Sequence, residues 1–158
     1  MSGDEDKKIL ECKASDNEYM HKDFHGALCY AIKYIDDNYG FEATTEYLKQ
    51  VARTYFSPLT EQLAKEGLGL LEKHWQQVFS AEDGRFRLEY RDDTLILTVD
   101  ECPAIAHLKK IGHLFTERYC ETTMVVNETI CGRAGYSCSC VYEAGKGKCV
   151  QKFWKDEK

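Results

Sequence analysis

The spacing of apolar residues changes from a helical to an alternating pattern near residue 82 of this chain. Before that point apolar residues recur every three or four positions, which predicts amphipathic helices, and one such series is Phe24, Leu28, Ala31 and Ile35. After it, the stretch RFRLEYRDDTLILTV alternates apolar and polar residues, which predicts a β-hairpin that turns at residues 92–93. The N-terminal half is therefore expected to be helical, with the sheet formed by the C-terminal half.

Turn and capping signals divide the chain into elements. The expected helices are one that ends near Gly40, one over about 42–56, one from Ser57 (N-cap) and Pro58 (first turn) to Gly67, one over LGLLEKHWQQVF, a short one opened by Pro103, and one over 113–130 stopped by Gly132. A second hairpin, formed by YSCSCVYE and CVQKFW, closes the chain. The predicted fold class is α+β, with a helical N-terminal half and two β-hairpins that form a four-stranded antiparallel sheet packed against helices. A single domain over residues 1–158 is expected, with residues 1–16 as a frayed start.

The charge and the cysteine content limit the classes of partner. A formal net charge of −6 argues against nucleic acid or an anionic membrane as the main partner. The N-terminus has no apolar signal segment, and no apolar run approaches the roughly 20 residues of a membrane span, so the expected location is the cytoplasm. Because thiols stay reduced there, the eight cysteines are expected to be thiols or metal ligands rather than disulfides. The expected partner is a small-molecule ligand, no cofactor is required by any motif, and a homo-oligomer is left open.

Half of the cysteines lie in the stretch CGRAGYSCSCVYEAGKGKC, at Cys131, Cys138, Cys140 and Cys149. If the hairpin turns at residues 145–146, Cys140 opposes Gln151 and the last three of these cysteines share one face, which Cys131 could reach. Four thiolates at one place could hold zinc or an iron–sulfur cluster, although the spacing C-x6-C-x-C-x8-C lacks the close pairs of structural zinc sites. The alternatives are small residues that pack the sheet against helices, and thiols that take part in ligand binding or redox chemistry.

Cys102 precedes Pro103 and is expected at the N-cap of a helix, where the helix dipole lowers the pKa of a thiol. It is therefore a candidate nucleophile. His107 could be its partner base, although the offset of five residues does not place it on the same helical face. Asp100 and Glu101 would oppose the thiolate if they lie close, and the alternative is an unreactive cap.

One stripe of the helix expected over 113–131 mixes polar residues with cysteine and methionine, and consists of His113, Glu117, Cys120, Met124, Asn127 and Cys131. This mixture is typical of the wall of a ligand pocket, in which His113 and Glu117 could act as a base and its orienting carboxylate. The alternative is a surface ion pair beside a partly buried flank. A weaker metal-binding pattern is formed by His21, His25 and Cys29, which repeat every four residues.

Two short motifs resemble a known family. They are a V-x-x-C-P strand exit at Val99, Cys102 and Pro103, and the hairpin pattern C-x-x-x-x-G-x-x-x-C-x-x-x-F at Cys140, Gly145, Cys149 and Phe153. Together with the helical N-terminal half, they resemble the L-2-amino-thiazoline-4-carboxylic acid hydrolase-like family. The C-terminal part is also similar to the vinyl-reductase-type small-molecule-binding domain.

The resemblance implies a hydrolase that opens a small thiazoline or cyclic amidine ring bearing a carboxylate. From the residues themselves, Cys102 would be the thiolate and His113 with Glu117 the acid–base pair. Arg118 or Arg133 would hold the substrate carboxylate. The alternatives are a non-catalytic domain that senses a small molecule or a metal through the C-terminal cysteines, and an interaction module in which the cysteines only pack.

Overall fold

The computed structural model describes residues 18–157, with side chains from Asp23 onward, so the frayed start expected at residues 1–16 lies outside it. The helices in this part of the chain are α1 (Glu18–Tyr39), α2 (Phe41–Tyr55), α3 (Ser57–Glu66), α4 (Leu68–Ala81), α5 (Pro103–Lys110), a 3-10 helix (Glu117–Cys120) and α6 (Glu121–Ala134). The strands are β1 (Arg85–Arg91), β2 (Thr94–Glu101), β3 (Tyr136–Glu143) and β4 (Lys148–Lys155). Within residues 18–157, no helix combines the length and the apolar character that crossing a membrane requires.

The helices expected in the N-terminal half are present, and one predicted cap is wrong. α1 ends at Tyr39, directly before Gly40. α3 begins at Ser57, but its N-cap is Phe56 and no side chain makes the capping hydrogen bond. The Ser57 hydroxyl lies in the first turn instead and donates to Glu61 Oε1 at 3.4 Å, which explains why it does not cap the helix.

The two hairpins form one antiparallel sheet in the order β1-β2-β4-β3, which confirms the predicted fold class. The first hairpin pairs Arg91 with Thr94 and turns at residues 92–93, as expected. The second pairs Cys140 with Gln151, the predicted register, but its turn covers residues 144–147 rather than two residues. The longer turn forms because the last pair is Glu143 with Lys148. The register is unchanged, since the turn gains one residue from each strand, Ala144 from β3 and Gly147 from β4.

Two clusters of buried side chains hold the helices to the sheet. One includes Leu63, Leu71, Leu95, Leu97 and Phe153, and the other includes Cys29, Ile32, Ile105, Leu108 and Tyr119. Cys102 packs against both. The junction between β2 and α5 therefore lies where the two clusters meet.

The single helix expected over 113–130 is wrong. α5 ends at Lys110, an irregular segment follows, and the 3-10 helix precedes α6. The Thr116 side chain accepts a hydrogen bond from the Arg118 backbone N–H at 3.3 Å, and this local bond starts a new helix there instead of continuing an earlier one. α6 also runs past Gly132 and ends at Gly135, whose left-handed φ of 82° terminates it.

Candidate functional site: a cavity lined by four cysteines

A cavity of about 30 Å³ lies between the β2–α5 junction, the 3-10 helix and the second hairpin. Its wall contains four cysteines, and the residues that line it are Cys102, Ile105, Tyr119, Cys120, Thr123, Cys140, Tyr142, Gly147, Lys148 and Cys149. Such a volume holds roughly one or two water-sized molecules. Any molecule inside it therefore contacts several of these side chains at once.

A larger and more open groove lies elsewhere, and it contains no predicted site residue. Its volume is about 1070 Å³, and its lining includes the carboxylates Asp92, Asp93, Asp156 and Glu157. No cysteine or histidine lines it. Of these two cavities, the small one is therefore the one that candidate residues line, and all of them are cysteines.

The pKa of the Cys149 thiol is lowered to about 7. The main cause is a hydrogen bond from Cys140, which outweighs burial, and Gln151 Nε2 donates a further hydrogen bond to Cys149 Sγ at 3.3 Å. The Cys140–Cys149 hydrogen bond and burial raise the pKa of Cys140, so Cys140 keeps its proton and remains the donor. Near pH 7 about half of Cys149 is therefore thiolate, which is the nucleophilic form of cysteine.

Asn127 bonds to the side-chain amide of Gln151, which in turn donates a hydrogen bond to Cys149. Asn127 Nδ2 donates to Gln151 Oε1 at 2.8 Å, and both side chains are buried. This bond fixes the orientation in which the Gln151 NH₂ group faces Cys149. Asn127 was expected on the ligand wall and instead lies behind it. Sequence reasoning did not identify Gln151 as a site residue, although the predicted pairing with Cys140 already placed it beside the cysteines.

Cys102 is the N-cap of α5, as expected, but its surroundings do not favour the predicted thiolate. Burial raises the pKa of its thiol to about 11, against the smaller opposite effects of the Ile105 and Ala104 N–H groups. The side chain makes no capping hydrogen bond with normal geometry. Desolvation therefore outweighs the helix N-terminus at this position, and Cys102 is a neutral thiol at pH 7.

Gly147 closes the cavity against the start of α5, and replacing it with alanine is expected to cost about 1–2 kcal/mol of unfolding free energy. Its φ is 71°, in the left-handed region, and an added Cβ would lie 3.4 Å from Ile105 Cβ. Urea denaturation measures the effect. Gly132→Ala is the matched control, because that glycine is helical with open space around it, and the change should be neutral or stabilising. Equal stabilities of the two variants would contradict the strain assigned to Gly147.

The histidines and the carboxylate predicted for catalysis do not reach the cavity. His113 Nδ1 bonds to Leu114 O at 2.8 Å, and its ring lies against Gly26. Glu117 is exposed in the 3-10 helix, and His107 is half-buried with Nε2 3.9 Å from Asp23 Oδ1. The predicted base and carboxylate pair is not assembled, because the continuous helix on which it depended is absent.

Neither candidate arginine lines the cavity. Arg118 forms ion pairs with Asp36 and Glu121, and its guanidinium lies 3.8 Å from the centroid of the Phe41 ring. Arg133 is exposed and donates to Arg53 O at 3.3 Å. Half-buried Met124 is likewise absent from the cavity wall. Of the predicted ligand-binding side chains, Cys120 is the one that the structure places in this wall.

The four cysteines proposed as metal ligands form two pairs instead of one cluster. Cys138 hydrogen-bonds to Cys131, which lowers the pKa of Cys138, while Cys140 hydrogen-bonds to Cys149. Among the described residues, no group of three or more His, Cys, Asp or Glu side chains could hold a metal ion as arranged. The weaker histidine pattern lies partly outside the described residues, because the His21 side chain is not among them, while His25 bonds to Tyr119 and Glu82. The predicted metal sites therefore gain no support from the geometry.

Comparison with family models, curated proteins and solved structures finds no match to this chain. The resemblance to the hydrolase-like family therefore stays a prediction, and the functional argument depends on the cavity.

Proposed function

We propose that this protein is a dithiol redox protein in which Cys149 reacts with a small hydroperoxide and Cys140 then forms a disulfide with it. The observation that carries the proposal is the Cys149 thiol, with a pKa near 7 and hydrogen bonds from Cys140 and Gln151, at the wall of a water-sized cavity. Cysteines that respond to oxidants are typically low in pKa, accessible, and close to a second cysteine. Cys149 is half-buried, so the thiolate is accessible to small molecules.

The chemistry requires no group beyond the two thiols and the oxidant. The Cys149 thiolate attacks one oxygen of hydrogen peroxide, the O–O bond breaks, and the products are a sulfenic acid on Cys149 and hydroxide, which a proton converts to water. The Cys140 thiol then attacks the Cys149 sulfur, and a disulfide and a second water form. Two thiols and one peroxide thus give one disulfide and two waters.

The size of the cavity favours a peroxide over a ring substrate. Pockets for small organic molecules usually measure about 300–1,000 Å³, whereas this cavity measures about 30 Å³. Neither Arg118 nor Arg133, the residues expected to hold the carboxylate of a thiazoline, lines the wall, and the cation in the lining is Lys148. Hydrolysis stays a prediction of the resemblance, and in that case Cys149 would replace Cys102 as the nucleophile.

A disulfide between the two cysteines requires a movement of the hairpin backbone, and such a strained bond is easily reduced again. Cys140 pairs with Gln151, so Cys149 is its diagonal neighbour on the same face. Diagonal neighbours lie about 7–8 Å apart, whereas Cα atoms joined by a disulfide usually lie about 4.4–6.8 Å apart. The bond would therefore strain the hairpin, and strained disulfides are the easily reduced, regulatory ones.

Peroxide kinetics with mapping of the modified cysteines test the proposal. At pH 7 Cys149 carries about 15-fold more thiolate than a free cysteine of pKa about 8.5. We expect it to be oxidised correspondingly faster than cysteines of the urea-unfolded protein, with a rate that rises with pH through a midpoint near 7. Wild-type protein should give a Cys140–Cys149 disulfide, and Cys140→Ser should accumulate a sulfenic acid on Cys149 that mass spectrometry detects.

Two variants separate this proposal from its competitors. Cys149→Ser should abolish the fast reaction, while Cys102→Ser, in the same wall, should retain it. The reverse result would restore Cys102 as the nucleophile and refute the assignment to Cys149. Stoichiometric zinc or iron in protein purified without oxygen, lost on replacing Cys140 and Cys149 with serine, would instead support the metal-binding alternative.

A further inference from the structure

We infer that Glu82, His25 and Tyr119 form a proton relay that delivers a proton to the leaving oxygen of a peroxide in the cavity, an inference that rests on the proposed function. His25 Nε2 lies 2.8 Å from Glu82 Oε2, and His25 Nδ1 lies 2.9 Å from Tyr119 Oη. Tyr119 lines the cavity together with Cys149. The two hydrogen bonds therefore connect the Glu82 carboxylate to a residue of the wall that carries the proposed reactive thiol.

Three distant parts of the chain supply these residues, so no local backbone requirement explains their contact. His25 lies on α1, Glu82 caps the C-terminus of α4, and Tyr119 lies on the 3-10 helix. Glu82 and Tyr119 are buried, and His25 is half-buried between them. A buried carboxylate and phenol are costly unless they are hydrogen-bonded, and the imidazole provides a partner for both. A histidine that lies between a carboxylate and a hydroxyl group is arranged to move protons for a reacting group.

Tyr119 is suited to give a proton and regain it. Burial raises the pKa of its phenol well above the usual value, and the groups that face it, Cys102, Cys29, Glu82 and Cys120, add to that shift. The phenol is therefore neutral at pH 7 and has a proton to donate. When both His25 nitrogens carry hydrogen, Nε2–H donates to Glu82 and Nδ1–H donates to the Tyr119 oxygen, so the Tyr119 proton is available to the cavity.

The relay supplies the proton that the oxidation of Cys149 by peroxide consumes. Cys149 sulfur bonds to one peroxide oxygen, the O–O bond breaks, and the departing oxygen takes the Tyr119 proton and leaves as water. Tyr119 oxygen takes the Nδ1 proton of His25 in the same motion. His25 takes a replacement proton from solvent before the next cycle. Because the cavity holds roughly one or two water-sized molecules, a peroxide in contact with Cys149 is also beside Tyr119.

The relay can be tested by comparing two reactions of Cys149. One of them consumes a proton and the other does not. Peroxide releases an oxygen that must be protonated, whereas the small alkylating reagent iodomethane releases iodide, which needs no proton. In Tyr119→Phe the rate constant with hydrogen peroxide should fall by about 100-fold, the usual contribution of a general acid, and alkylation by iodomethane should stay within about twofold. Glu82→Gln keeps a side chain of the same size and should give a smaller fall in the same reaction only.

Tyr47→Phe is the matched control, because Tyr47 packs against the same cluster without lining the cavity, and both of its rates should be unchanged. Melting temperatures check that each variant is folded. An equal fall of both reactions in Tyr119→Phe, or no fall in either, would overturn the relay. If wild-type Cys149 reacts with peroxide no faster than unfolded protein, the proposed function itself fails, which is a separate result.

Discussion

Replacing Phe153 with alanine is expected to lower the free energy of unfolding by about 3–5 kcal/mol, the range for truncating a buried aromatic side chain. Phe153 is 1% exposed on β4, where it pairs with Leu95 of β2 and Cys138 of β3. Its ring also stacks on Trp75 of α4, with centroids 6.3 Å apart. The side chain therefore joins both hairpins to a helix, and its removal leaves a cavity at the centre of the larger cluster. Urea denaturation followed by far-UV circular dichroism measures the loss.

Val141→Ala is the control for that substitution. Val141 belongs to the same sheet, but it is 73% exposed on the opposite face. Surface changes of this kind usually alter stability by no more than about 0.5 kcal/mol. A similar loss in both variants would mean that the face assigned to the core is wrong.

Replacing either Asn127 or Gln151 with leucine is expected to cost about 1–3 kcal/mol, because each change leaves a buried polar atom of its partner without a hydrogen bond. The double change to leucine leaves neither atom unpaired. Its cost should therefore be clearly smaller than the sum of the two single costs, and denaturant unfolding of the four proteins measures the difference.

The same variants separate stability from reactivity. Gln151→Leu removes the N–H that donates to Cys149, so the pKa of Cys149 should rise above about 7, both alone and in the double variant. The pH dependence of iodomethane alkylation measures it. An unchanged midpoint in both proteins would show that the hydrogen bond from Cys140 lowers the pKa without help from the amide.

The sequence allowed the hairpin and its register to be predicted, because alternation and a glycine-rich turn are local signals. They were enough to place Cys138, Cys140 and Cys149 on one face. The reactive thiol was assigned to Cys102 from its place before Pro103, but burial between two clusters, which the local sequence does not reveal, raises the pKa of that thiol. The Thr116 hydrogen bond that divides the expected helix is also local, but the apolar spacing on both sides of it concealed the break.

The relay could not have been predicted from spacing. His25 and Tyr119 are 94 residues apart in the chain, and His25 and Glu82 are 57 residues apart. The four-residue spacing of His21, His25 and Cys29 instead suggested a shared helical face. Cys29 is fully buried in the second cluster, while His25 bonds across to other elements. Periodicity identifies which side of a helix is buried, but it does not identify the partner in tertiary space.

The position of β4 sets the order in which the site can be completed during folding. β4 is the last strand in sequence, yet it lies between β2 and β3 in the sheet. β3 does not pair directly with either strand of the first hairpin. The four strands therefore form one sheet only when β4, residues 148–155, lies between β2 and β3. A nascent chain that lacks these residues lacks Cys149 and Gln151, and it also lacks the strand that joins β3 to β2. The hydrogen-bonded pair of Cys140 and Cys149 therefore forms only after β4 has been synthesised.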